Sequence, residues 1–203
     1  MKRFAALLVP CLLTSGGAAR VLAQAPSDTV RGALRYAPAD VDFMSGMIAH
    51  HAQAVAMARW APTHGASPSV RTLCARIINA QTDEIALMQR WLGDHHLPVP
   101  VADPRGLAMP GMDMPMLMPG MLTPAQMAQL DSARGPDFDR LFLRFMIQHH
   151  SGAVTMVNDL FAQGAGEEET VFKFASDVYA DQTTEIARMQ RMLGVVMFGA
   201  PGQ

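Results

Sequence analysis

Two stretches of this chain set thioether and imidazole side chains at helical spacing: Met47, His50, His51 and Met57 in one, Met146, His149, His150 and Met156 in the other. Steps of three, four and seven along an α-helix return to one face. Each stretch therefore aims two sulfurs and two imidazoles at whatever the helix packs on, where they could converge on a single ion. Thioethers are soft donors and neutral imidazole is borderline, a set that selects Cu(I) or Ag(I) over Mg, Ca or Zn. A Met ligand needs no deprotonation and forms no disulfide, which suits an oxidising compartment.

A second block follows each of these. Gln81, Glu84, Ile85 and Met88 share a helical face, and Gln182, Glu185, Ile186 and Met189 repeat them. Glu84 and Glu185 can orient the histidines as hydrogen-bond acceptors or ligate a harder ion directly. The plain alternative is structural: Met fills cores, and a buried His is satisfied by a neighbour such as Glu84 with Gln81, or Glu185 with Gln182. Burying four His and two Glu for packing alone would cost stability, which favours a metal. A third donor group is the segment holding Met109, Met112, Met114, Met116, Met118 and Met121, six Met in 13 positions among Pro and Gly. No helical periodicity explains it. Mobile thioethers at that density capture and release Cu(I), or form an apolar strap across the helices, and the two roles are compatible. His95 and His96 are accessory ligands at most; no role is assigned to His64, and Cys74 reads as a buried, inert thiol.

The positioning elements follow from a duplication. Phe43, Met47, Ile48, His50, His51, Ala54, Val55 and Met57 match residues 99 positions later, from Phe142 to Met156, and the second blocks match at an offset of 101. Apolar and donor positions within an arc of roughly 120° mark both blocks as helices. Asp40 is placed to cap the first helix, residues 62–68 form a turn, Gly93 and Pro98 end the second helix, and Pro136 with Asp137 opens the third. The acidic run 167–169 reads as a solvated start to the fourth. Hairpins at 39–96 and 136–198 form one all-α domain, a ferritin-like four-helix bundle with a long Met- and Pro-rich crossover at 97–135. Residues 97–122 of that crossover hold little regular structure, and a short helix runs from Pro124 to about Ala133.

The chain has 203 residues, half of them hydrophobic, a net charge of -2, and 17 Met, more than its Phe, Trp and Tyr together. This excludes disorder and a nucleic-acid binder. Lys2 and Arg3 before the apolar run 4–13, then Ala23-Gln24-Ala25, read as a signal peptide cleaved after Ala25, followed by a tail at 26–38. Lipidation at Cys11 is a competing reading, opposed by Pro10 and by the apolar run continuing past it. Cleavage removes Lys2, Arg3 and Arg20 and leaves 13 basic against 18 acidic residues, with Cys74 as the one thiol. No later stretch is apolar enough to span a bilayer. There is no Gly-rich phosphate loop, Cys-x-x-Cys or nucleophile elbow, and Lys173 is the only Lys of the mature chain.

The twin Met-Ile-x-His-His-x-x-Ala-Val-x-Met and Gln-x-x-Glu-Ile-x-x-Met-Gln blocks resemble the bacterial domain-of-unknown-function family three hundred and five, from about Asp40 to Leu193. That resemblance implies a ferritin-like helical fold, an extracytoplasmic location and Cu(I)/Ag(I) binding through Met and His. Its motif positions here are Met47, His50, His51, Met57, Glu84, Met88, Met146, His149, His150, Met156, Glu185 and Met189. The expected function is a non-enzymatic periplasmic or secreted copper chaperone, buffer or resistance protein. Its partners would be the metal ion, a second copper-trafficking protein and a further copy of the chain, without nucleic acid or a membrane span. One alternative is a di-iron or di-manganese oxidoreductase, although Glu84-x-x-Leu87 and Glu185-x-x-Arg188 lack the His that such sites use. The other is a metal-free envelope protein whose Met segment contacts a partner.

Overall fold

The computed structural model describes residues 36–109 and 111–199; the expected leader, its cleavage point and Cys11 lie outside them. Five α-helices follow in order: α1 Pro38–Arg59, α2 Pro68–Asp94, α3 Pro124–Ser132, α4 Pro136–Ala162 and α5 Glu169–Phe198. The first four begin with Pro at the opening position, where its missing N–H sacrifices no helical bond. Ser67 and Glu168 cap α2 and α5 by accepting from the Val70 and Val171 N–H groups, while Thr123 and Gln126 cap α3 reciprocally. Apart from the helices, the described residues hold one antiparallel bridge, between Leu107 and Met116. No described helix is long and apolar enough to cross a membrane.

α1 with α2 and α4 with α5 form two hairpins, joined where α1 packs on α4. Two apolar clusters record the directions. One unites the C-terminal half of α1 (Ala54, Met57, Ala58) with the start of α2 (Leu73, Ile77), the start of α4 (Phe138, Phe142, Met146) and Met189 of α5. The other unites the start of α1 (Phe43, Met44, Met47, Ile48) with the end of α2 (Met88, Trp91, Leu92), the end of α4 (Met156, Val157, Leu160) and the start of α5 (Phe174, Val178). All three helix pairs are therefore antiparallel. Full burial of each large side chain contributes about 1.5–3 kcal/mol, and Phe138, Phe142, Leu73 and Ile77 are among those so buried.

A reciprocal clasp ties each helix start to the opposite hairpin. Asp40 accepts from the Gly166 N–H at 2.7 Å, and Asp139, 99 positions on, accepts from the Ser67 N–H, likewise 99 before Gly166, at 3.2 Å. Asp40 also caps α1, from the third helical position rather than from the N-cap position, which Ala37 holds. It lies inside the first turn, buried, and its second oxygen accepts from the Ala37 N–H at 2.7 Å. Residue 168 is not a solvated helix start: the Glu168 carboxylate also takes the Trp91 indole N–H at 3.0 Å. Partial burial pushes its pKa up, but hydrogen bonds from Val171, Thr170 and Trp91 outweigh this and hold it below the usual carboxylate range.

Candidate metal centre

Between the two apolar clusters lies a polar layer. His50 and His51 on α1 and His149 and His150 on α4 are all fully buried. Consecutive histidines diverge by about 100° around a helix, so each pair splits into an inner and an outer ring. The inner rings, His50 and His149, meet at a tilt of 41° with centroids 3.8 Å apart. The outer rings meet carboxylates of α2 and α5: His51 Nε2 lies 2.8 Å from Glu84 Oε2, and His150 Nε2 lies 2.7 Å from Glu185 Oε2. The His150 contact is a hydrogen bond. The His51 contact is off the line that an N–H requires and leaves Nε2 without a hydrogen bond.

The partners fix which nitrogen carries the proton. His50 donates from Nε2 to the Pro119 carbonyl at 3.0 Å, and His150 donates from Nε2 to Glu185, because neither oxygen can donate in return. In a neutral ring this leaves Nδ1 bare, and the Nδ1 atoms of His50, His51 and His150 are buried without a partner among the described residues. His149 has no partner on either nitrogen. Burial first, then the neighbouring imidazoles His51 and His150, push the His50 pKa well below its ordinary value despite the Pro119 bond. Burial and then His50, His150 and His51 do the same to His149. Both rings are therefore neutral near pH 7 and can offer a lone pair.

Sulfur flanks this layer on both sides. Met47, Met88 and Met156 belong to one apolar cluster, and Met57, Met146 and Met189 to the other. Each triad takes two Met from one repeat and the third from the other, as antiparallel packing of α1 on α4 demands. Among the described residues, no group of three or more His, Cys, Asp or Glu is gathered in a metal-holding geometry.

The crossover divides in two. Met109, Met112, Met114 and Met116 are exposed, on a loop closed by the mutual Leu107 and Met116 backbone bonds of 2.9 and 2.8 Å. Met121 is buried, with its sulfur accepting the Met118 N–H at 3.3 Å, and Met118 packs against the cluster around Met47. Gln53 anchors this end, accepting the Leu122 N–H at 2.6 Å and donating to the Leu122 and Pro104 carbonyls at 3.1 and 3.0 Å. Its repeat counterpart is Gly152, where a Cβ would overlap the Pro119 carbonyl. The strap thus crosses α4 where α4 has no side chain, and it holds His50 while leaving His149 free.

Gln53, Gly152 and Pro119 were not legible as site residues, though the mismatch of Gln53 with Gly152 inside otherwise matching blocks was a signal. Asp181 was also missed: burial and the charges of Glu84, Asp177 and Glu185 raise its pKa, placing a third acid near Glu84 and Glu185. Away from the layer, His95 bonds the Trp91 carbonyl at 2.8 Å and meets Tyr36 edge to face. His64 bonds Asp131 through Nε2, and both are thus structural. Burial first, then Asp139, pushes the Cys74 thiol up to about 12, which keeps it an unreactive S–H.

A family model described as "Domain of unknown function (DUF305)" matches residues 40–193. Among solved structures, a DUF305 protein from Streptomyces coelicolor described as a "putative secreted protein" is 28% identical, with 81% of this chain and 98% of that chain covered and a TM-score of 0.67. A DUF305 fragment from Deinococcus radiodurans is 31% identical over 78% of this chain and 97% of that one, at a TM-score of 0.64. CopM in its Cu(I)-bound form is 28% identical over 79% and 98%, at 0.60; in an Ag-bound form it is 30% identical over 75% and 93%, at 0.56. Among curated proteins, none matches.

Proposed function

The chain belongs to the DUF305 family, and within that family we propose that it is a non-enzymatic Cu(I)- and Ag(I)-binding protein acting outside the cytoplasm. The observation that carries this is the state of the histidines. His50 and His150 are held through Nε2–H by oxygen acceptors, and their Nδ1 atoms are buried and bare in a layer that lies between the two Met-bearing clusters. Orientation of a ligand imidazole by a carbonyl or carboxylate on its far nitrogen is the usual arrangement at metal sites. An unmade hydrogen bond on a buried polar atom costs about 1–3 kcal/mol, and this layer has several. A soft ion bound by these nitrogens and the Met47 or Met146 triad would recover that cost.

Two antiparallel hairpins meeting along α1 and α4 support a ferritin-like four-helix bundle as the scaffold, with Met47, Met57, Met88, Met146, Met156 and Met189 as the sulfur donors. Glu185 orients His150 through its hydrogen bond, and Glu84 stands 2.8 Å from His51 Nε2. Met109, Met112, Met114 and Met116 collect ions from solvent, and a second trafficking protein supplies or receives them. The presence of CopM in Cu(I)- and Ag-bound forms among the structural neighbours supports the same metals, and the neighbour described as secreted supports the compartment.

A ligand that binds only the folded state raises its melting temperature. The mature protein should melt several degrees higher with one or two equivalents of Ag(I), and the variant with His50, His51, His149 and His150 all replaced by Phe should show little or none of that rise. An equal rise in both proteins would remove the histidines from the site.

A further inference from the structure

From the meeting of the strap with α1 and α4, and resting on the function proposed above, we infer that Met118, paired with the Met156 sulfur already assigned to the histidine layer, forms a soft-metal entry site at the edge of that layer and ahead of it. A cleft of ≈230 Å3 opens there, lined by Phe43, Met118, Pro119, Met156, Asp42 and Asp159 among others. It draws one thioether from the crossover and one from the helical body, with two exposed carboxylates at its rim. Soft monovalent ions accept two thioethers as a sufficient ligand pair, and the carboxylates raise the local concentration of cations without competing as soft donors.

Gly46 makes the pairing possible. A Cβ at this position would stand 2.7 Å from Met118 Sδ and 3.5 Å from Met156 Cε. Both side chains therefore reach over the same bare patch of α1, one helical turn before His50. Glycine inside a helix is less stable than alanine by about 0.5–1 kcal/mol, so the residue present is the one that gives room to Met118 rather than the one that favours α1. Met121 is not equivalent, because its sulfur is buried on the Met118 N–H. Pro119 connects the two sites: it lines the cleft, and its carbonyl holds His50. An ion released from Met118 is thus one residue from the imidazole layer, and the transfer is a ligand exchange with no change of oxidation state.

The test follows methionine methyl resonances in the full mature protein labelled with 13C-methyl Met during Ag(I) titration, with Met118→Leu and Met156→Leu supplying assignments. The Met118 and Met156 signals should shift together, and should still do so in the variant lacking the four histidines. Gly46→Ala, which favours the helix and keeps the fold, should weaken the Met118 response several-fold. Asp42→Asn with Asp159→Asn should slow Ag(I) capture several-fold at low salt and little at high salt. If Met47, Met146, Met156 and the imidazoles respond while Met118 stays unmoved to saturation, the entry site is wrong and the proposed function stands. If no methyl or imidazole signal responds, both are wrong.

Discussion

At the scale of single residues, His149 distinguishes a ligand from a core residue, since neither of its buried nitrogens has a partner. Replacing an unsatisfied buried polar group by an apolar one of similar volume is neutral or stabilising. His149→Leu should therefore leave the metal-free protein as stable or raise its stability by about 1 kcal/mol, while cutting the Ag(I)-dependent rise in melting temperature; calorimetry with and without Ag(I) measures both. A purely structural histidine would show loss of stability and no metal effect. The same residues set a pH dependence. In the fold, His50 and His149 resist protonation, first because they are buried and then because neighbouring imidazoles oppose it, His51 and His150 for His50, and His50, His150 and His51 for His149, whereas the unfolded chain takes up protons near the ordinary value of 6.5. Below that pH the unfolded state binds more protons, so stability is complete above about 6.5 and falls by up to about 1.4 kcal/mol per pH unit for each histidine below it. Chemical denaturation of the metal-free protein from pH 7.5 to 5 should show this loss, reduced in a His50→Leu, His149→Leu double variant.

At the scale of elements, the crossover is part of the site because Gln53 and Gly152 seat it on α1 and α4. Gln53→Ala removes three hydrogen bonds to residues 104 and 122 and should cost about 1–3 kcal/mol. It should also increase hydrogen exchange across residues 104–122 while α2 and α5 keep their protection. Helices and repeat were legible because apolar and donor residues recur at one spacing, and the short helix expected from Pro124 to about Ala133 spans Pro124–Ser132. The strap was illegible in detail: its contacts join residues 69 apart, and nothing in the sequence alone ties Gly152, at the repeat position of Gln53, to clearance for a crossing segment. Glu168 was misread for a similar reason, since Trp91, its partner, lies 77 residues away.

At the scale of the whole molecule, the two repeats exchange parts. Asp40 and Asp139 each bind the turn of the opposite hairpin, and each Met triad borrows a sulfur from the other repeat. Neither hairpin therefore completes its core or its donor set alone. Asp139→Ala leaves the Ser67 N–H unbonded in a half-buried turn and should cost about 1.5–3 kcal/mol, the range for hydrogen bonds to charged groups. If the halves are one cooperative unit, fluorescence and circular dichroism should still report a single coincident unfolding transition. The order of blocks along the chain announced the duplication, but not which repeat supplies which sulfur, because that depends on α1 and α4 running in opposite directions.

The central claim is that the buried histidines between the two Met clusters hold a soft monovalent ion. Its most direct test is an anaerobic Cu(I) titration with metal analysis, comparing the intact mature protein with the variant in which His50, His51, His149 and His150 are all replaced. Tight binding of one or more Cu(I) by the intact protein, with that tight fraction lost in the variant and only the weaker Met-held ions remaining, is the predicted result. Identical Cu(I) content and affinity in the two proteins would contradict it.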